Sequence, residues 1–471
     1  MLTRHDPTPM FAGNTLRSLP GRRSSVHLAI ATLIAVGFTS FTGCARRPEV
    51  KSFEIIAAPT TVPLSSGRTI QVWAYNGQVP GPTLRIRLGD TLRVTFTNRL
   101  PQPTTIHWHG VRVPNAMDGV PGVTQRPVEP GQTFVYEFTP KDAGTFWFHP
   151  HVRASEQVER GLYGVLIVDD PEPQPFARDE LWVIDDLLLD PSGEIAPEFN
   201  TRHDLAHDGR WGNFVVVNGR SRPELRAAPG ERLRLRLLNV ANGRIFVPDF
   251  GALQPQIIAV DGLYVTAPVD ARGFELAPGN RVDLDLVVPA ALAGSRVSVV
   301  DRFTRQAIGL ADILVSPDAA TDPPRFSIPV GSRMPDAPST GSAPPSLDLR
   351  LNAEPGGPFG IAWTINGTAM NPLDHASGSE HYALPLNEPS RVRFVNESYR
   401  LHPMHLHGMF FRVVSRNGRP IDEPFTRDTV LVHPKETVEV VTLPTEPGLW
   451  MAHCHVLEHA EAGMMTLLDV H

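Results

Sequence analysis

Four His-x-His pairs stand toward the two ends of this chain, and any fold that uses them together must bring those ends into contact. They are His107-Trp108-His109, His149-Pro150-His151, His405-Leu406-His407 and His453-Cys454-His455. In an extended strand, residues i and i+2 project to the same side about 6.6 Å apart. Each pair can therefore serve neighbouring metal ions rather than crowd one, and eight converging nitrogens suffice for a cluster of three metals. One such pair alone would be weak evidence. Structural zinc gathers Cys and His in compact tetrahedral sites, which does not account for pairs divided between residues 107–151 and 402–459.

The fourth cluster adds a thiol. Alternation turns Cys454 away from His453 and His455, so it faces a different site from theirs. It can combine there with His402 and His459, and Met464, ten residues further on, is placed to add a weak axial thioether. His₂Cys with a long axial Met is the ligand set of blue copper. A lone cysteine is ordinarily a small buried hydrophobe, but the flanking histidines argue against that here.

The rest of the chain has the period of strands. Apolar and polar residues alternate in Thr91 to Thr97, Arg232 to Leu237 and Arg281 to Leu286, the pattern of half-buried strands. No long segment has a helical period, and 47 Pro with 38 Gly suit many turns. The fold class is all-β. A turn-strand unit recurs three times: Asn76-Gly77 to Asn98, Asn218-Gly219 to Asn239, and Asn366-Gly367 to Asn396. Three similar β-sandwich domains follow from this repeat, over residues 51–171, 175–316 and 346–471, with a Pro- and Ser-rich linker at 317–345. A formal charge of −7 leaves no basic footprint for nucleic acid.

Residues 1–43 read as an export signal: Arg17, Arg22 and Arg23 precede an apolar run from Val26 to Phe41. That run falls short of the roughly 20 apolar residues of a membrane span. Gly43-Cys44 resembles a bacterial lipoprotein cleavage site, which would make Cys44 a lipid anchor, and Arg22-Arg23 resembles a twin-arginine signal. The periplasm or cell envelope is the expected location.

Taken together, the four clusters resemble those of three-domain bacterial multicopper oxidases, the laccase and cuprous-oxidase family, across essentially the whole mature chain. The resemblance implies three cupredoxin-like Greek-key domains and four coppers. His402, Cys454 and His459, with Met464 axial, would bind the type 1 copper, and His107 and His405 the type 2. His109, His149 and His455 would bind one type 3 copper; His151, His407 and His453 would bind the other. Electrons would pass from Cys454 to His453 and His455, and on to dioxygen. Asp118, in Met117-Asp118-Gly119, matches an acidic residue that relays protons in relatives, although Asp-Gly is also a common turn pair. Some relatives carry a glutamate where this chain has Ala460, and Glu461 is the candidate substitute.

The reductant is expected to dock where the imidazole edge of His459 or His402 reaches the surface. Phenols and aromatic amines are the general expectation, with cuprous ion as the alternative. The ten methionines are scattered, and the third domain has no Met-rich insertion. A cell-envelope scaffold with this fold is the rival of another class, set against a complete ligand set. An electron-transfer cupredoxin would leave eight histidines without a role. Among lesser candidates, His203 and His207 have metal-binding spacing if helical but read as a solvated loop pair. His375 and His381 read as surface residues, and Arg232, Arg234 and Arg236 as the outward face of a strand.

Overall fold

The computed structural model describes residues 47–64, 67–329, 347–357, 359–371 and 380–471. The export-signal segment, Cys44, His375 and the linker from residue 330 lie outside these. Six sheets form three sandwiches in chain order, and the same parallel pairings recur in each. Val50–Pro63 runs parallel to Thr91–Asn98, Arg178–Leu187 to Arg232–Asn239, and Leu347–Pro355 to Ser390–Asn396. In the facing sheets Thr83–Arg87 pairs with Gly164–Asp169, Glu224–Ala227 with Ile308–Val315, and His381–Leu384 with Met465–Val470. Parallel neighbours far apart in sequence require the chain to cross between sheets, as in Greek-key sandwiches.

The repeated Asn-Gly pairs explain how the copies are built. Asn76, Asn218 and Asn366 have φ of 54°, 52° and 54°, and the glycine after each is also positive, at 73°, 70° and 82°. Two successive positive φ values define a type I′ turn, for which Asn-Gly is the preferred pair. Each Asn Oδ1 accepts a backbone N–H of the strand that opens the sandwich, from Ile56, Val183 and Arg350 at 2.7, 2.9 and 2.8 Å. The closing asparagines are equally uniform. Asn98, Asn239 and Asn396 are buried, and each Oδ1 accepts the N–H two residues on.

The Arg232–Asn239 and Arg281–Val287 strands are not half-buried: both faces are covered. Arg234 and Arg236, expected to point outward, are buried instead, and Arg232 is partly covered beside Asp285. Asp283 takes Arg234 at 2.6 Å and Arg236 at 3.2 Å, and Arg236 also reaches Asp179 at 2.6 Å. The cover is the strand Gly144–His149 of the first sandwich, whose Thr145 hydroxyl donates to Asp283 at 2.8 Å. Guanidinium groups tolerate burial when each is paired. His381 is exposed, on a strand rather than a loop.

Candidate metal centre

Strand register sets the histidines side by side before any domain contact. In the first sandwich His107 lies opposite His149 on antiparallel strands, and in the third His405 lies opposite His453. Within the pairs the rings stand 5.9, 5.8, 5.0 and 5.5 Å apart, close to the two-residue strand repeat. The first and third sandwiches then interleave their pairs. His107 stacks on His407 and His109 on His405, both at 3.8 Å between ring centres. His109, His149 and His455 form one group whose ligand atoms lie within 4.8 Å of one another, and His151, His407 and His453 another. His107 and His405 join a third group with His109.

The ring nitrogens are sorted. Nδ1 donates to a backbone carbonyl in His107 (Asp118, 2.8 Å), His149 (Pro150, 3.0 Å), His405 (Asp428, 2.8 Å) and His453 (Cys454, 2.9 Å). His407 uses Nδ1 toward Asp118 Oδ2 at 2.9 Å, and His109 uses Nε2 toward Asp428 Oδ1 at 3.1 Å. The opposite nitrogens of His107, His109, His149 and His405, and both of His455, are buried without a protein partner. An orphaned buried acceptor costs about 1–3 kcal/mol, so several aimed at one place fit a metal cluster. Burial and neighbouring imidazoles hold His109, His149, His151, His407 and His455 well below the usual histidine range. They are thus in the neutral form that metals require.

The thiol site is separate. Cys454 Sγ lies 3.5 Å from His402 Nδ1 and 3.8 Å from His459 Nδ1, and these nitrogens are 3.3 Å apart. The far nitrogens are held by Ser398 Oγ at 2.8 Å and by the carbonyl of His207 at 2.7 Å. Trp363 packs against both rings. Met464 is buried beside them, its carbonyl accepting from Cys454 N–H at 3.1 Å. Burial pushes the Cys454 thiol up and His459 down to about 3, so a thiolate persists here only against a bound cation.

Neither His402 nor His459 has exposed surface, which corrects the expected imidazole edge. A segment of the middle sandwich covers it. The helix Arg202–Ala206, fixed by a capping box between Thr201 and Asp204, ends beside His207, whose carbonyl holds the His459 ring. His203 and His207 are exposed, as expected; His203 lies on the helix, His207 follows it in extended backbone, and their rings stack at 4.3 Å.

Asp118 is buried, with Oδ1 3.2 Å from His107 Nδ1 as well as its contact to His407. The Gly119 turn seats it: a side chain there would strike the Ile106 carbonyl. Glu461 borders a small cavity with His149, His151 and His453, and burial pushes its carboxyl up to about 7.

Several functional residues carry no motif. Asp428 supports His109 and His405; Arg281, from the middle sandwich, grips both its oxygens at 3.0 and 2.7 Å. Burial alone would raise the Asp428 carboxyl, but Arg281 holds it down to about 2. Gly279, φ +89°, lets the middle sandwich approach: a Cβ there would lie 3.0 Å from His109 and 3.1 Å from His455.

Three cupredoxin-like sandwiches, a His₂Cys site and an eight-histidine cluster define a copper oxidoreductase that uses dioxygen and binds four coppers. Two family models described as multicopper oxidase match residues 57–173 and 343–471. The chain is 30% identical to multicopper oxidase MmcO of Mycobacterium tuberculosis, covering 86% of this chain and 84% of that protein. A multicopper oxidase structure from Pseudomonas thermotolerans is 34% identical with TM-score 0.76, covering 90% of this chain and 99% of that one. A Campylobacter jejuni multicopper oxidase described as a metallo-oxidase is 25% identical with TM-score 0.76, over 89% and 91%. The chain belongs to the multicopper oxidases.

Proposed function

We propose that His402, Cys454, His459 and Met464 would hold the type 1 copper and that His107 and His405 would hold the type 2. His109, His149 and His455 then hold one type 3 copper, and His151, His407 and His453 the other. Bound copper supplies the redox chemistry, taking single electrons from a reductant and passing four to dioxygen, which leaves as water. The observation that carries this reading is Cys454 itself. Its side chain lies with His402 and His459, while its two sequence neighbours enter the histidine cluster. One peptide link on either side thus joins the two sites.

The chain's own groups hold the rings and the protons. Carbonyls and carboxylates orient His107, His109, His149, His405, His407, His453 and His459, leaving the other nitrogen of each toward the metal. Asp118, buried with Oδ1 3.2 Å from His107 Nδ1 and Oδ2 2.9 Å from His407 Nδ1, is the carboxylate placed to pass protons to the cluster. Dioxygen needs four protons, and Glu461, which burial pushes up to about 7, is suited to exchange them at the cavity beside His149, His151 and His453.

The reductants are small molecules: phenols and aromatic amines are the main reading. Cuprous ion is the second, in keeping with the similar enzyme described as a metallo-oxidase. Domain boundaries at 51–171, 175–316 and 346–471 follow the repeats. Residues 1–43 are read as an export signal to the periplasm or cell envelope, with Cys44 as a lipid anchor. Among the described residues no helix is long and apolar enough to cross a membrane. The test is copper quantification with an absorption spectrum. Four coppers and an intense blue thiolate band are expected; a copper-loaded sample that stays colourless would overturn the assignment in favour of a scaffold.

A further inference from the structure

We propose that His203 and His207 form an additional copper-ion site, where a cuprous ion docks and gives up its electron. The proposal rests on the cuprous-ion reading of the substrate. Solvent does not reach the rings of His402 and His459, so the donor meets the protein at a residue outside the His₂Cys set. The His459 Nε2–H donates to the carbonyl of His207 at 2.7 Å, and His207 is exposed. The Ser398 hydroxyl at the other ring is buried and bonds onward to the backbone of Arg400, a cationic residue that is a poor seat for a metal cation.

The imidazole of His207 is joined to its own carbonyl through Cβ and Cα. A donor bound on that ring is therefore connected to His459 by a few covalent bonds and one short hydrogen bond. His203 lies one helical turn earlier, and the two rings stack at 4.3 Å with an interplanar angle of 22°. Histidines four residues apart whose rings share one side are a recurrent two-point metal clamp, and the stack puts these two rings on one side although His207 ends the helix in extended backbone. The His207 Nδ1–H donates to the carbonyl of His203 at 2.8 Å, which leaves its Nε2 lone pair as the ligand.

The helix is held in place despite its shortness. Asp204 and Leu205 are buried, the capping box closes the first turn, and the Leu205 carbonyl accepts from Trp363 Nε1 at 2.9 Å. Trp363 is the ring that packs on His402 and His459, so the clamp is seated on the thiol site. Asp204, 3.8 Å from His203 Nδ1, and Asp208 add negative charge, and Arg400 offsets Asp208 at 3.9 Å. Imidazoles beside carboxylates favour a copper cation over an aromatic donor, since imidazole is a good copper ligand. Each bound cuprous ion loses one electron and leaves as cupric ion. Four such oxidations, with four protons, reduce one dioxygen to two waters.

The test uses copper-loaded enzyme titrated with silver(I), a redox-silent stand-in for cuprous ion, followed by calorimetry and native mass spectrometry. Wild type should bind one silver ion more than the H203A/H207A double variant. H203A alone, which leaves the His207 carbonyl link intact, should weaken that ion. In the double variant the KM for cuprous ion should rise about tenfold or more (roughly 1.4 kcal/mol) relative to the change in KM for a phenol. Equal silver binding in wild type and variants would overturn the site while leaving the cuprous reading standing. So would equal changes in both KM values. A wild type that binds silver at the pair but does not oxidise cuprous ion would instead overturn the substrate reading, and the proposal with it.

Discussion

Replacing Arg281 by methionine tests whether the middle sandwich, which contributes no histidine to the cluster, holds the cluster in shape. Arg281 has no exposed surface. It donates to both oxygens of Asp428, to the carbonyls of Thr145 and Gly279 at 3.1 and 3.0 Å, and to the Asp261 carbonyl at 2.8 Å. Methionine replaces part of its bulk and none of these donors. Asp428 and Asp261 are then buried together without their cation, and burial together with Asp428 already pushes Asp261 up to about 6. Removing one partner of a buried ion pair costs about 3–5 kcal/mol. For a cooperative unit of about 150–250 residues each kcal/mol moves the transition roughly 2–4 °C. Scanning calorimetry of the copper-loaded variant should therefore show a transition lowered by roughly 6–20 °C. Because Asp428 orients His109 and His405, the type 2 electron paramagnetic resonance signal should weaken as well, through a loss of metal affinity of about 10–100-fold. Lysine at the same position keeps the charge without the forked geometry and should fall between. A shift below about 2 °C with unchanged copper content would refute the reasoning, because it would mean that the two carboxylates are accommodated without the guanidinium.

Cys454→Ser should abolish the blue band and lower copper from four per chain to three, read by elemental analysis, while the histidine cluster still fills. Asp118→Asn should retain all four coppers yet slow dioxygen reduction by about 10²–10⁴-fold, the usual contribution of a positioned proton-transfer group; an unchanged turnover rate would remove Asp118 from the proton route. Gly279→Ala forces a side chain into a positive φ and against two rings, and should cost about 1 kcal/mol or more, seen as a lower melting temperature with reduced copper content. His433 pairs with Glu275 at 2.9 Å, and that hydrogen bond raises its pKa above 6.5. Its contribution is thus complete below pH 6.5 and is lost as pH rises through the raised folded value. His433→Ala should flatten that part of the pH–stability curve, which a series of urea melts would record.

Much of the site was legible because it is local. A His-x-His pair in a strand needs only the two-residue repeat to present both rings together, and the ring separations of 5.0 to 5.9 Å are near that repeat. The Asn-Gly turns were equally readable, since positive φ at two successive residues is a demand that few residue pairs meet. The strand Arg232–Asn239 shows where this reasoning stops. Its alternation was read correctly as a strand, but its arginines were assigned to solvent because sequence alone does not show that Asp283, Asp179 and Thr145 cover them. The same holds for His459, on the short helix Leu457–Glu461, whose sequence gave no sign of the segment ending at His207 that lies over it.

The chain by itself therefore determined the element type, the threefold repeat and the side of each strand that the paired histidines occupy, because these depend on backbone periodicity over a few residues. Only the tertiary structure decided which residues fill the space between sandwiches: Arg281 behind Asp428, Gly279 against the rings, and His207 over the thiol site. Those contacts join segments distant in sequence, and their energetics are set by burial, which exists only once the sandwiches have packed.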